Sequence, residues 1–223
     1  MTFTQHTIAL LFLSALLVHF EIAEASDDAV AVVEGAALIK AAPRHRDTYA
    51  NPGESLSHGS FGVRVPFMLR RLGTYFRNGR NAPEQQTPDT AQLRSYVKDG
   101  PPTVTWIGHS TLLVQMGGLT FLTDPIWSNI PSPLPPLGPR RFVPPAVAIN
   151  ELPTIDFVMI SHNHYDHLDL PTLRALARRN PQTHFLVPLG NAALLQRHGI
   201  DNVRELDWGE SVELAGLTVH CLP

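Results

Sequence analysis

Four side chains able to bind a metal fall within six positions: His162, His164, Asp166 and His167, in the run Ser161-His162-Asn163-His164-Tyr165-Asp166-His167-Leu168-Asp169. Imidazole nitrogen and carboxylate oxygen are ordinary ligands of zinc and its neighbours. His162 and His164, two apart, can point the same way from an extended segment. Asp166 and His167, adjacent and beyond a turn, can address a second ion close by. Two such ions clamp a bridging water and lower its pKa towards neutrality, which gives a hydroxide nucleophile without any Ser or Cys. Packing alone accounts poorly for the run, because four polar groups at one strand end are costly to bury without partners.

A rigid element must deliver these groups. Thr154 to Ile160, a short apolar run after Pro153, predicts a buried strand leading directly into the cluster. Upstream, Thr103–Ile107, Thr111–Met116 and Leu119–Thr123 read as strands, with Gly117-Gly118 as a two-residue hairpin turn. Asp124-Pro125 ends that hairpin, and a proline-rich loop follows. Downstream, Pro171–Arg179 and Asn191–Arg197 read as helices. His184–Val187, Asn202–Leu206, Ser211–Leu214 and Leu217–Leu222 read as strands. Strands first, then strands alternating with helices, predict an α/β layered domain over 101–223. Asp169 is placed to cap the helix at Pro171. His184, His198 and His220 suit structural roles, and Cys221 a buried apolar one.

Composition narrows the function classes. The net charge is −3, so no strong field steers nucleic acid. A single cysteine, Cys221, excludes a disulfide framework and a Cys-rich zinc site. Residues 1–25 have the pattern of an export signal: an apolar stretch from Ile8 to Phe20 and Ala23-Glu24-Ala25 before Ser26, although Met1–Thr7 carries no Lys or Arg. The expected location is therefore periplasmic or membrane-associated. Residues 26–100 read as a linker and N-terminal extension. Within it, Phe61–Arg80 holds Arg64, Arg70, Arg71, Arg77 and Arg80, no acidic residue, and interleaved apolar side chains, with Pro66 placed to open a helix. Such a stretch either lies on an anionic lipid surface as a peripheral membrane contact or packs its apolar stripe on the domain with the arginines solvated.

The His-x-His-x-Asp-His run is similar to the signature of the metallo-β-lactamase superfamily. More narrowly, Val104–Trp208 resembles N-acylphosphatidylethanolamine-hydrolysing phospholipase D and its bacterial relatives. The resemblance rests on Thr105-Trp106-Ile107-Gly108-His109-Ser110-Thr111, Phe121-Leu122-Thr123-Asp124-Pro125-Ile126, Leu137-Gly138-Pro139-Arg140-Arg141-Phe142, Leu152-Pro153-Thr154-Ile155-Asp156, Ile160 through Asp169, Val187-Pro188-Leu189-Gly190 and Glu205-Leu206-Asp207-Trp208. It implies an αββα sandwich and a zinc-dependent phosphodiesterase acting on N-acyl phospholipids. A lactone or sugar phosphate lactone is the alternative substrate. It implies His162 and His164 as ligands of a first Zn2+, and Asp166, also counted as catalytic, with His167 as ligands of a second. Asp124 is implied as an orienting group behind a ligand imidazole, and His109 as a supporting or substrate-contacting residue. The resemblance further implies a His, a bridging Asp and a final His on later strands. The domain is thus expected to hold only the N-terminal half of the sandwich, and the chain to be a fragment whose own activity is in question.

Overall fold

The hydrophobic pattern of the strands dictates the layers. Leu112, Val114 and Met116 alternate with Leu113, Phe121 with Leu122, Phe157 and Met159 with Val158, and Leu186 with Phe185 and Val187, and all of them are buried. A strand apolar on both faces has to be covered on both. In the computed structural model one face packs under helices and the other under a β-hairpin. The structure describes residues 84–222 apart from 97, 134–137 and 139, and in addition 44–45, 48–49, 60–63, 65–67 and 69–70. The export signal expected at 1–25, and Arg64, Arg71, Arg77 and Arg80 of the basic stretch, lie outside the described residues.

The central sheet has six strands in sequence order: β1 (Thr103–Gly108), β2 (Thr111–Met116), β3 (Leu119–Thr123), β4 (Phe157–Met159), β5 (His184–Pro188) and β6 (Val203–Leu206). β1, β2 and β3 pair antiparallel, with Trp106 opposite Leu112 and Val114 opposite Phe121. From β3 onward the pairing is parallel, with Phe121 beside Phe157 and Phe157 beside His184. The turn between β2 and β3 needs two residues at positive φ, and Gly117 (58°) and Gly118 (80°) supply them.

On one face, α2 (Leu170–Arg179) contributes Leu173 and Leu176 and α3 (Ala192–Arg197) contributes Leu195 to a core with Ile107, Leu113, Leu122, Val158, Phe185 and Val187. A shorter helix, α1 (Thr90–Arg94), is capped by the Asp89 carboxylate, which accepts from Ala91 N at 2.9 Å, and seats Leu93 in the same core. On the other face, the hairpin of β7 (Ser211–Leu214) and β8 (Leu217–His220) lays Leu217 and Val219 on Phe121, Phe157, Met159 and Leu186. The Phe121 and Phe157 rings stack there at 4.4 Å. The α/β class expected from sequence is the one observed.

Three local expectations need correcting. The strand expected over 154–160 is regular only at 157–159, because the Asp156 carboxylate turns aside to accept from Thr120 N at 2.7 Å. Pro66 does not open the basic helix: residues 61–63 are already helical. Phe61, Val63, Val65 and Leu69 are exposed, the first at 83%, so these four are not buried against the described residues of the domain. Finally, Asp169 occupies the position before α2, but its side chain makes no cap to the helix backbone.

Candidate metal centre at the strand ends

Ligand sites of open α/β sheets lie beyond the carboxyl ends of the strands, and the cluster is found there. β4 ends at Met159, and Ile160 and Ser161 lead straight into His162. A tight turn follows, with His167 N and Leu168 N both donating to His164 O at 3.0 and 2.8 Å. This turn folds Asp166 and His167 back beside His162, and the His162 and His167 rings stand 4.0 Å apart. From β3, Asp124 arrives at φ 38°, its amide donating to Met159 O at 2.8 Å. From β1, Gly108 (φ 138°) and His109 (φ 54°) turn the chain so that the His109 ring faces Asp166.

The six residues singled out from sequence thus meet in one place, in two groups. His162 Nε2 and His164 Nδ1 are 3.0 Å apart. His109, Asp166 and His167 each offer one ligand atom within 4.8 Å of the other two. Asp124 stands behind them. Its Oδ1 accepts from Ser161 N at 2.7 Å, and its Oδ2 meets Ser161 Oγ at 2.7 Å and His167 Nδ1 at 2.8 Å. An imidazole tied at Nδ1 to a carboxylate presents Nε2 as the free donor.

The charges agree with this division of labour. Burial opposes a proton on His167, but the hydrogen bond to Asp124 and the carboxylates of Asp124 and Asp166 outweigh it, and its pKa lies above the ordinary imidazole value. For His162, burial and then the neighbouring His167 and His164 hold the pKa low, against a smaller pull from the two aspartates. Burial would raise the Asp166 pKa. Its own backbone hydrogen bond and the nearby His167 and His109 prevail and lower it.

Sequence reading did not assign the clamp around this site. Asp169, buried, spends its carboxylate on the loop after β3: Oδ2 accepts from Trp127 N (3.1 Å) and Ser128 N (2.9 Å), and Oδ1 accepts from Ser128 Oγ (2.7 Å). Thr172 Oγ1 donates to the same carboxylate at 2.6 Å. Thr111 Oγ1 donates to Asp124 O at 2.8 Å and accepts from Ile126 N, and the Arg141 guanidinium donates to Ile126 O. Asp124 is therefore fixed at the hinge of a loop pinned from three sides. Thr172 apart, no local signal marks these partners, which come from 13 to 42 residues away.

The comparison with known proteins bears on the same residues. Residues 120–223 match the family described as the beta-lactamase superfamily domain. This part of the chain is similar to that superfamily's domain. An uncharacterised protein of Mycobacterium tuberculosis is 48% identical over 124 residues, covering 54% of this chain and 32% of that protein. N-acyl-phosphatidylethanolamine-hydrolyzing phospholipase D 1 of Caenorhabditis elegans is 41% identical over 128 residues, covering 53% of this chain and 36% of its own length. Among solved structures, a diiron β-hydroxylase from Streptomyces venezuelae is 30% identical with a TM-score of 0.42, covering 55% of this chain and 24% of its own. The chain spans about a third of the length of the two curated relatives.

Proposed function

We propose that this domain supplies the metal-holding strand ends of a zinc-dependent phosphodiesterase of phospholipase D type, acting on N-acyl phospholipids. The observation that carries the reading is the convergence of His162, His164, Asp166 and His167 at the solvent-facing ends of the strands, with Asp124 fixing His167 from behind. The donor set fits a metal: imidazoles and a carboxylate, no thiolate, half open to solvent, a chemistry that suits zinc and other borderline divalent ions. His162 and His164 would hold one ion, Asp166 and His167 a second. Bound there, divalent ions polarise phosphoryl oxygens and lower the pKa of water.

The chain's own groups do the rest. Asp124 fixes the His167 tautomer and aims its Nε2 outward. The open position leaves room for a substrate to reach the donors. Trp106 and Tyr165, 61% and 53% exposed, flank the cluster, and aromatic faces there suit the apolar part of an acylated substrate. The exposed Phe61, Val63, Val65 and Leu69 among arginines suit peripheral contact with an anionic lipid surface. Export of the chain is part of the same proposal. Among the described residues no helix is long and apolar enough to cross a membrane. The choice of an N-acyl phospholipid draws on the nematode relative's name, since fold alone does not select a substrate.

The test is the metal content of the purified chain by mass spectrometry. Turnover of an N-acyl phospholipid, a lactone and bis-p-nitrophenyl phosphate with added zinc follows. Bound zinc and release of the N-acylated headgroup alcohol are expected. Hydrolysis of the lactone alone would reassign the substrate, and a chain that takes up no transition metal would sink the reading.

A further inference from the structure

We infer that His109 is a third ligand, completing with the adjacent Asp166 and His167 a cation site built from two separate points of this chain. The inference rests on the metal-holding reading above and deepens it. The His109 Nε2–Asp166 Oδ2 distance is 3.1 Å and the His167 Nε2–Asp166 Oδ2 distance is 3.9 Å. Around a tetrahedral zinc with ligand bonds of roughly 2.0–2.2 Å, neighbouring donor atoms lie about 3.3–3.6 Å apart. The two edges, 3.1 and 3.9 Å, straddle that value. A hydrogen bond between His109 and Asp166 explains the first distance but not the second. At 3.9 Å His167 Nε2 is beyond hydrogen-bond reach of the same oxygen, yet it turns towards it while its Nδ1 is committed to Asp124.

The backbone supports a ligand role. His109 sits at φ 54°, in the left-handed region that few non-glycine residues occupy. Two features sustain this conformation. Gly108 precedes it at φ 138°, where a Cβ would also come within 3.2 Å of the Arg141 guanidinium. The Trp106 indole N–H donates to His109 O at 2.9 Å. Strained residues persist where the surroundings over-determine them, and they concentrate at functional sites. The turn delivers the His109 Nε2 edge to Asp166 Oδ2. The His162–His164 pair keeps its own two donors, so the triad does not draw on them.

The experiment uses the whole 223-residue chain, stripped with a chelator and titrated with Co2+ as the probe, with affinity and the visible absorption of the bound ion as readouts. The variants are His109→Ala and His167→Ala, each checked for folding by near-ultraviolet circular dichroism. His109→Ala is expected to weaken Co2+ binding by at least about 100-fold, above the roughly 10–100-fold typical of losing a mere orienting partner, and to change the absorption bands. In Co2+-loaded wild type, the His109 ring protons are expected outside the diamagnetic chemical-shift range. This second readout needs no mutation. Unchanged affinity and bands in His109→Ala, with His167→Ala still impaired, overturn the His109 assignment alone. Unshifted His109 ring protons in the loaded wild type do the same. A wild-type chain that binds no Co2+ overturns both this assignment and the metal reading beneath it.

Discussion

Replacing Asp169 by alanine separates the scaffold of the site from its chemistry. The buried carboxylate accepts from Trp127 N, Ser128 N, Ser128 Oγ and Thr172 Oγ1. In the alanine variant Trp127 N retains Thr172 Oγ1 at 2.9 Å, whereas Ser128 N loses its acceptor, Asp169 Oδ2. Hydrogen bonds to a charged acceptor contribute about 1.5–3 kcal/mol each, and a buried donor left unsatisfied costs about 1–3 kcal/mol. Because one donor keeps a partner and the two hydroxyls can turn elsewhere, the net loss should be about 3–4 kcal/mol, at the upper end for a point substitution. With a urea m-value of about 2 kcal/mol/M, the midpoint falls by about 1.5–2 M. Measuring in excess chelator removes any contribution from bound metal. Asp169→Asn, which keeps one acceptor, should fall between the two. A midpoint lowered by less than about 0.3 M in the alanine variant would refute the reasoning and reduce Asp169 to an ordinary helix-start residue.

Two further outcomes follow from the titrating groups. The His167 pKa is raised above 6.5 in the folded chain, so its stabilising pairing in the metal-free protein is complete below the unfolded value and lost as pH rises through the folded one. A metal must displace the same proton, so apparent Zn2+ affinity should fall about tenfold per pH unit below that raised pKa; calorimetric titrations from acid to neutral pH that give a flat affinity would contradict it. Burial, with Asp207 and Glu210 adding to it, pushes the Cys221 thiol up to about 11. At pH 8 roughly one thiol in a thousand is then thiolate, so iodoacetamide should modify Cys221 slowly in the native chain and rapidly in urea. Equal rates would show that the thiol is not held in the core.

What was legible in the sequence is what short-range chemistry specifies. The Gly117-Gly118 hairpin was readable because only residues tolerant of positive φ close a two-residue turn. The two-sided strands were readable from continuous apolar runs such as Phe157-Val158-Met159. The donors of the 162–167 run were readable because they share one loop. Relations between distant segments were not. Nothing near Asp169 in sequence announces that the chain after Asp124 folds over the start of α2 and takes its carboxylate. His109 and Asp166 are 57 positions apart, and their meeting depends on a left-handed residue at a strand end, which no periodicity encodes. The apolar residues at 61–69 were ambiguous because alternation with arginine suits a packed stripe and a wet surface equally. Their exposure is a tertiary fact.

The change of pairing at β3 also has a kinetic consequence. β1, β2 and β3 are joined by short turns and can zip together from near neighbours. β4 must return across residues 124–156, and β5 across the loop of the site and α2. Local pairings tend to form early and distant parallel ones late. His109 therefore belongs to the part of the sheet that closes first, and His162 through His167 to the part that closes last. An ion that needs both stabilises the finished protein more than the barrier leading to it. Metal should accordingly lengthen the lifetime of the folded chain while leaving the speed of its assembly almost unchanged.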